Sequence, residues 1–146
     1  MSQPLMPILL VLLGGAAISV QAPINGALAR SLMSPVAAAA VSFGVGFAVL
    51  ALFTLTQGGS ALARLGAVPL WQIAGGLLGA FYIFAMTSAI GSLGVVTAMS
   101  ALVLGQLVTA LLLDRIGAFG LMAQPVSPQR IAAVVLVGLG LVLSRL

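Results

Sequence analysis

Amide side chains are the groups in this chain best suited to bind a solute. Gln21 and Asn25 lie four residues apart, a spacing that places both on one face of a helix. Gln106 lies in the middle of a later apolar segment. Amides donate and accept hydrogen bonds, so they can hold a polar or zwitterionic solute without a fixed counter-charge. The alternative for Gln106 is a hydrogen bond that only holds a neighbouring helix. The alternative for Gln21 and Asn25 is that this part of the helix has already reached the membrane interface, where an amide is not unfavourable.

Two aromatic residues extend this set. Tyr82 is central in its own apolar segment, and its hydroxyl needs a partner. Trp71 begins that segment, a position typical of an anchor at the membrane interface. We predict a substrate site lined by Gln21, Asn25, Tyr82 and Gln106, with Trp71 nearer its mouth.

Asp114 is the only acidic residue and therefore the only candidate coupling carboxylate for a proton. Its place beside Arg115 at the end of an apolar segment also fits a residue at the level of the lipid headgroups. There is no His, no Cys and no second acidic residue. The chain therefore lacks the side chains that a metal site, a nucleophilic triad or a carboxylate pair would need. We expect no enzyme, no metal and no cofactor.

The composition indicates an all-α integral membrane protein. Of 146 residues, 62% are hydrophobic and 4% are charged, against roughly a quarter charged in soluble domains. The net charge of +4 comes from arginines that stand singly, so a nucleic-acid surface is not expected. A lipid bilayer is the solvent that suits this chain.

The apolar residues form five segments of nearly spanning length within one domain, 1–146. Ser34 followed by Pro35 predicts a helix N-terminus, and Pro128 predicts the start of the last helix. Pro23 predicts a broken first helix with an unpaired carbonyl at Ser19. The predicted helices are 4–28, 35–56, 71–90, 93–113 and 128–144, with a tight turn at 91–94 between the third and fourth.

Small residues at four-residue spacing predict close packing of these helices, because lipid offers no hydrophobic gain between them. The alternative is that they line a cavity. The stripes are Ala38, Ser42 and Gly46; Gly75 and Gly79; and Gly140 and Ser144 beside Gly138. The last stripe is our first choice for a contact between two copies of the chain.

Several stretches together resemble the drug/metabolite transporter superfamily, and within it the small bacterial YdcZ-type family. They are 21–28, 34–38 with Ser42, Phe43 and Gly46, 71–82, 93–94, and Gly105 and Gln106 with Asp114, Gly117, Gly120, Ser127 and Arg130 behind them. The resemblance implies a bacterial inner membrane protein whose five helices are half of a ten-helix inverted-repeat transporter. The membrane-embedded Glu of the small multidrug members has no counterpart here.

We predict a transporter subunit of unknown substrate that works as an antiparallel homodimer with alternating access. Five spans put Arg64, Arg115 and Arg130 on one side of the membrane and Arg30 and Arg145 on the other. This small bias would permit insertion in both orientations. The alternative is a non-transporting membrane protein that acts as an assembly or regulatory subunit.

Overall fold

The computed structural model describes residues 5–146, and every regular element in that range is helical. The start predicted at Pro4 lies outside the described residues. Short 3₁₀ helices occupy Leu62–Ala67 and Ala118–Gly120. The α-helices are α1 (Leu5–Leu32), α2 (Pro35–Thr56), α3 (Leu70–Ile73), α4 (Gly75–Leu93), α5 (Val95–Ile116) and α6 (Pro128–Leu143).

Two helices begin as the sequence predicts. Ser34 is the N-cap of α2, and its hydroxyl accepts a hydrogen bond from the backbone N–H of Ala37 at 3.1 Å. Ser127 caps α6 in the same way, through the N–H of Arg130 at 3.3 Å. In both helices proline follows the cap, where its missing N–H removes no helical hydrogen bond.

Two predictions about the helices are wrong. Helix α1 continues through Pro23 to Leu32 instead of breaking there, because the loss of a single N–H need not interrupt a helix that lipid and neighbours hold together. Helix α4 runs through the predicted turn to Leu93, which leaves Gly94 alone between α4 and α5. The segment predicted from Trp71 begins one residue earlier, at Leu70, and forms one candidate span to Leu93, within which Ala74 separates the short α3 from α4.

Four segments are long and apolar enough to cross a membrane: Leu5–Leu32, Pro35–Thr56, Leu70–Leu93 and Val95–Ile116. Helix α6 is apolar but has 16 residues, fewer than the roughly 20 that usually cross a bilayer. Residues 5–146 are therefore all-helical with four candidate spans, and a fifth span at α6 stays a prediction.

The chain divides into two compact units at Gly91. In the first unit α1 packs against α2, and α4 contacts both. A Cβ added at Gly26 of α1 would lie 2.8 Å from Cγ2 of Ile90, and one added at Gly79 of α4 would lie 3.3 Å from Cζ of Phe43. The close packing predicted at Gly79 is thus confirmed, whereas nothing lies near Gly46 or Gly75.

The second unit is built on α5 and α6, which pack against each other. The Thr97 hydroxyl donates to the carbonyl of Ser144 at 3.1 Å. A Cβ at Gly138 would meet Leu104 of α5 at 3.7 Å, while Gly140 faces open space. Of the stripe proposed for a dimer contact, Gly138 and Ser144 therefore already face α5.

The candidate solute groove

An open groove of about 750 Å³ lies between α1 and α2. It contains the side chains of Gln21, Asn25 and Ser42 as its polar groups, and every other lining residue is apolar or glycine. The full lining is Ala16, Ala17, Val20, Gln21, Ile24, Asn25, Leu28, Val41, Ser42, Val45 and Gly46.

The two amides reach the groove because α1 is continuous. An unbroken helix keeps residues four apart on one face, so Gln21 and Asn25 line the same wall, as their spacing predicts. Asn25 is buried, with 6% of its surface exposed, and Gln21 is half-buried. A buried amide beside an accessible one offers donors and acceptors at two depths of one groove.

Ser42 completes this polar wall from the side of α2, where its stripe predicted helix packing, with the lining of a cavity as the alternative. Its four-residue spacing from Ala38 indicated a packed stripe, but only Ala38 is fully enclosed, with 0% exposure. Ser42 is half-buried. The hydroxyl within an otherwise apolar stripe was the available signal, since a packing contact alone is equally well served by alanine.

A second cavity, of about 370 Å³, adjoins the groove and shares Gln21, Ser42 and Gly46 with it. Its remaining lining is apolar: Phe43, Phe47, Leu50 and Ile83. Gln21 and Ser42 therefore stand between two spaces, one of them lined by aromatic rings. This arrangement can bind a molecule with a hydrogen-bonding part and an apolar part. No lining residue of either cavity is charged.

The other predicted site residues are placed differently. Tyr82 is half-buried in α4, and Trp71 is 57% exposed on α3. Neither is among the residues that line the groove. Their part in a substrate site stays a prediction, and the exposure of Trp71 at the start of a span fits an interfacial anchor.

Gln106 belongs to the second unit, where it is exposed in the middle of α5. The sequence predicted an amide near the middle of its apolar segment, and Gln106 does lie near the middle of α5. Its side chain, however, is exposed. An amide at the centre of a span that faced only lipid would be unfavourable, so this position calls for a polar neighbour.

Asp114 has a partner. Its carboxylate oxygen Oδ2 lies 2.9 Å from Nη1 of Arg130, and both side chains are 39% exposed. Arg130 also donates to the side-chain oxygen of Gln124, whose backbone N–H donates to the carbonyl of Asp114 at 2.8 Å. This cluster ties the end of α5 to the start of α6. The coupling role considered for Asp114 stays a prediction.

Comparison with known proteins supports the membrane assignment. Residues 6–143 match the family model described as "Putative inner membrane exporter, YdcZ". Neither the curated proteins nor the solved structures give a match.

Proposed function

The chain belongs to the YdcZ family of membrane exporters within the drug/metabolite transporters, and we propose that it is one subunit of an exporter for a small polar or amphipathic solute. It is a multi-pass protein of the inner membrane, and its family is one of transporters and not of enzymes. The proposed unit is an antiparallel homodimer of two five-helix chains that works by alternating access.

The groove between α1 and α2 is the observation that carries this proposal. Gln21, Asn25 and Ser42 place three hydrogen-bonding groups in a groove that is otherwise apolar. Polar groups inside spanning helices are unfavourable unless they pair or face a wet cavity. Because no charged residue lines the groove, a neutral or zwitterionic solute suits it better than a strongly cationic one, which would lack a partner.

Gln106 supports the dimer. Its exposed amide in the middle of α5 would be satisfied by a second copy of the chain or by a cavity that the second copy closes. An odd number of spans per chain means that an inverted repeat needs two chains in opposite orientations. The near balance of arginines, three against two, permits both orientations. In the proposed pathway Tyr82 lines the substrate site and Trp71 lies nearer its mouth.

Transport by the purified protein in liposomes tests the proposal. A panel of radiolabelled zwitterionic, neutral and cationic solutes is screened for uptake, and the best solute is then used with Gln21→Leu, Asn25→Ala and Gln106→Leu. We expect each change to abolish transport while the dimer stays folded. Gln57→Leu is the matched control, because Gln57 is an exposed amide at the end of α2 and outside the groove.

Two outcomes would count against the proposal. Transport that survives both Asn25→Ala and Gln106→Leu would remove the site. A dimer whose two N-termini lie on the same face would remove the inverted repeat. If no solute moves and the chain instead assembles with another membrane protein, the alternative of a regulatory subunit takes its place.

A further inference from the structure

A small cavity of about 200 Å³ lies at the end of the first unit where α1 ends, α2 begins and α4 ends. It is separate from the groove, with which it shares no lining residue. Helix ends with arginine are the parts of spanning helices that meet the headgroup region. Its lining is Gly26, Ala29, Arg30, Pro35, Thr87, Ser88, Ile90 and Gly91.

Thr87 is among the residues that line this cavity, and its hydroxyl is unpaired within the described part of the chain. The residue is 6% exposed, and its Oγ1 is buried without a hydrogen-bond partner among residues 5–146. Hydroxyls inside helices usually donate to the carbonyl four residues back. Ser19 does so to Gly15 at 3.0 Å, and Thr54 does so to Leu50 at 2.8 Å. A buried hydroxyl without that bond is unfavourable, and a ligand that accepts its hydrogen would relieve this.

Arg30 supplies a positive charge at the same place. Its guanidinium folds back along α1, so that Nη1 lies 3.7 Å from the position that a Cβ on Gly26 would occupy. The absence of a side chain at Gly26 leaves this space open. Asp114 is the only acidic side chain in the sequence and is paired with Arg130, so no acidic side chain remains for Arg30.

The start of α2 adds a further positive potential. Pro35 lines the cavity as the first residue of a 22-residue helix, and the N-terminal end of a helix dipole favours anions. Ser88 adds a second hydroxyl. A guanidinium and two hydroxyls, beside the positive end of a helix dipole, form a set that matches the oxygens of a phosphate group.

We infer that this cavity binds a phosphate group, held by the Arg30 guanidinium and the Thr87 hydroxyl. The group comes either from the headgroup of an anionic lipid or from free phosphate. The inference does not depend on the proposed transport.

Native mass spectrometry of the purified protein tests the site, with phosphatidylglycerol as the lipid probe and inorganic phosphate as the free anion. We expect Arg30→Gln to weaken phosphatidylglycerol binding about tenfold and Thr87→Val about threefold, as losses of a charged and a neutral hydrogen bond imply. Arg145→Gln removes an exposed arginine elsewhere and should leave binding unchanged.

The two sources give different patterns. Lipid binding that millimolar phosphate does not displace identifies a headgroup site. Binding of inorganic phosphate with the same dependence on Arg30 and Thr87 identifies a free-anion site. If neither probe is affected by either substitution, the inference is wrong. Thr87→Val keeps the shape of the side chain and removes a buried unpaired hydroxyl, so this variant should fold and carry the test if Arg30→Gln does not.

Discussion

Asp114 and Arg130 form an ion pair between the last turn of α5 and the first turn of α6, with 2.9 Å between Oδ2 and Nη1. The pair closes an eleven-residue connection, 117–127, that contains no α-helix. Arg130 also donates to the side chain of Gln124, which lies within the connection. One arginine therefore contacts both the end of α5 and the connection itself. The relationship has consequences for stability and for coupling.

We expect a double-mutant cycle of Asp114→Asn and Arg130→Gln to give a coupling energy of about 0.2–1 kcal/mol. Both side chains are 39% exposed, and partly exposed pairs are screened to that range. Thermal unfolding in detergent is the measurement. Combining Asp114→Asn with Arg115→Gln should be additive, because the recorded ion pair of Asp114 is with Arg130. Additivity in the Arg130 cycle would show that the pair contributes nothing.

The same Asp114→Asn variant separates a structural role from proton coupling. If the carboxylate only pairs with Arg130, transport keeps its dependence on the proton gradient and loses only thermal stability. If Asp114 couples transport to protons, the gradient no longer drives uptake in the variant. Uptake measured with and without an imposed pH gradient distinguishes the two.

Gly26→Ala should destabilise the first unit by about 1–3 kcal/mol. The added methyl would lie 2.8 Å from Cγ2 of Ile90, and a β-branched side chain in a helix cannot rotate away easily. Gly14→Ala is the matched control, since it lies in the same helix with no atom within 4 Å of the added Cβ. Unfolding of both variants is followed by circular dichroism in detergent. Equal stabilities would contradict the close contact of α1 with α4.

Gly117→Ala should destabilise the second unit more than Gly120→Ala. Both glycines have positive φ, +62° and +82°, so both substitutions carry a conformational cost of about 1 kcal/mol. Only at Gly117 would the Cβ also collide, at 2.8 Å from the carbonyl oxygen of Leu121. The difference between the two unfolding free energies measures the steric part. A larger loss at Gly120 would show that the connection is arranged differently.

Helix α6 should cross the membrane as a fifth span. The natural chain has no cysteine, so a double variant, Ala123→Cys with Leu146→Cys, can be labelled with an impermeant thiol reagent in sealed vesicles. Because α6 separates the two sites, every labelled molecule should carry one label, whichever way it is inserted. Mass spectrometry counts the labels.

Ser60→Cys with Ala123→Cys is the control for that experiment. Two spans separate these positions, so molecules should carry two labels or none. Doubly labelled Ala123→Cys and Leu146→Cys molecules would mean that α6 does not cross, and the five-span topology would then be wrong.

The sequence predicted the helical class and the polar starts of helices well, because these depend on local chemistry. Ser34 caps α2 as expected, and α6 begins at Pro128 as expected. The break predicted at Pro23 is absent, because proline removes one backbone hydrogen bond while the other hydrogen bonds of α1 remain. A rule about one residue cannot compare the loss of a single hydrogen bond with the stability of the whole helix.

The sequence was less informative about which way each side chain faces. In a soluble helix the apolar face marks the core, but here lipid and protein interior are equally apolar, so the pattern carries little direction. The exposure of Gln106 and the pairing of Asp114 with Arg130 both depend on tertiary packing. Gln21 and Asn25 were grouped correctly because helical spacing alone sets their relation.

The lengths of α1 and α6 bear on the bilayer that surrounds the protein. At 1.5 Å per residue, the 28 residues of α1 span about 42 Å and the 16 residues of α6 about 24 Å. A hydrocarbon core of about 30 Å is therefore too thin for one and too thick for the other. Tilt accommodates the excess, and local thinning accommodates the deficit. If α6 crosses the membrane as predicted, acyl-chain length becomes a variable that sets the strain on the protein, through hydrophobic mismatch at this short helix.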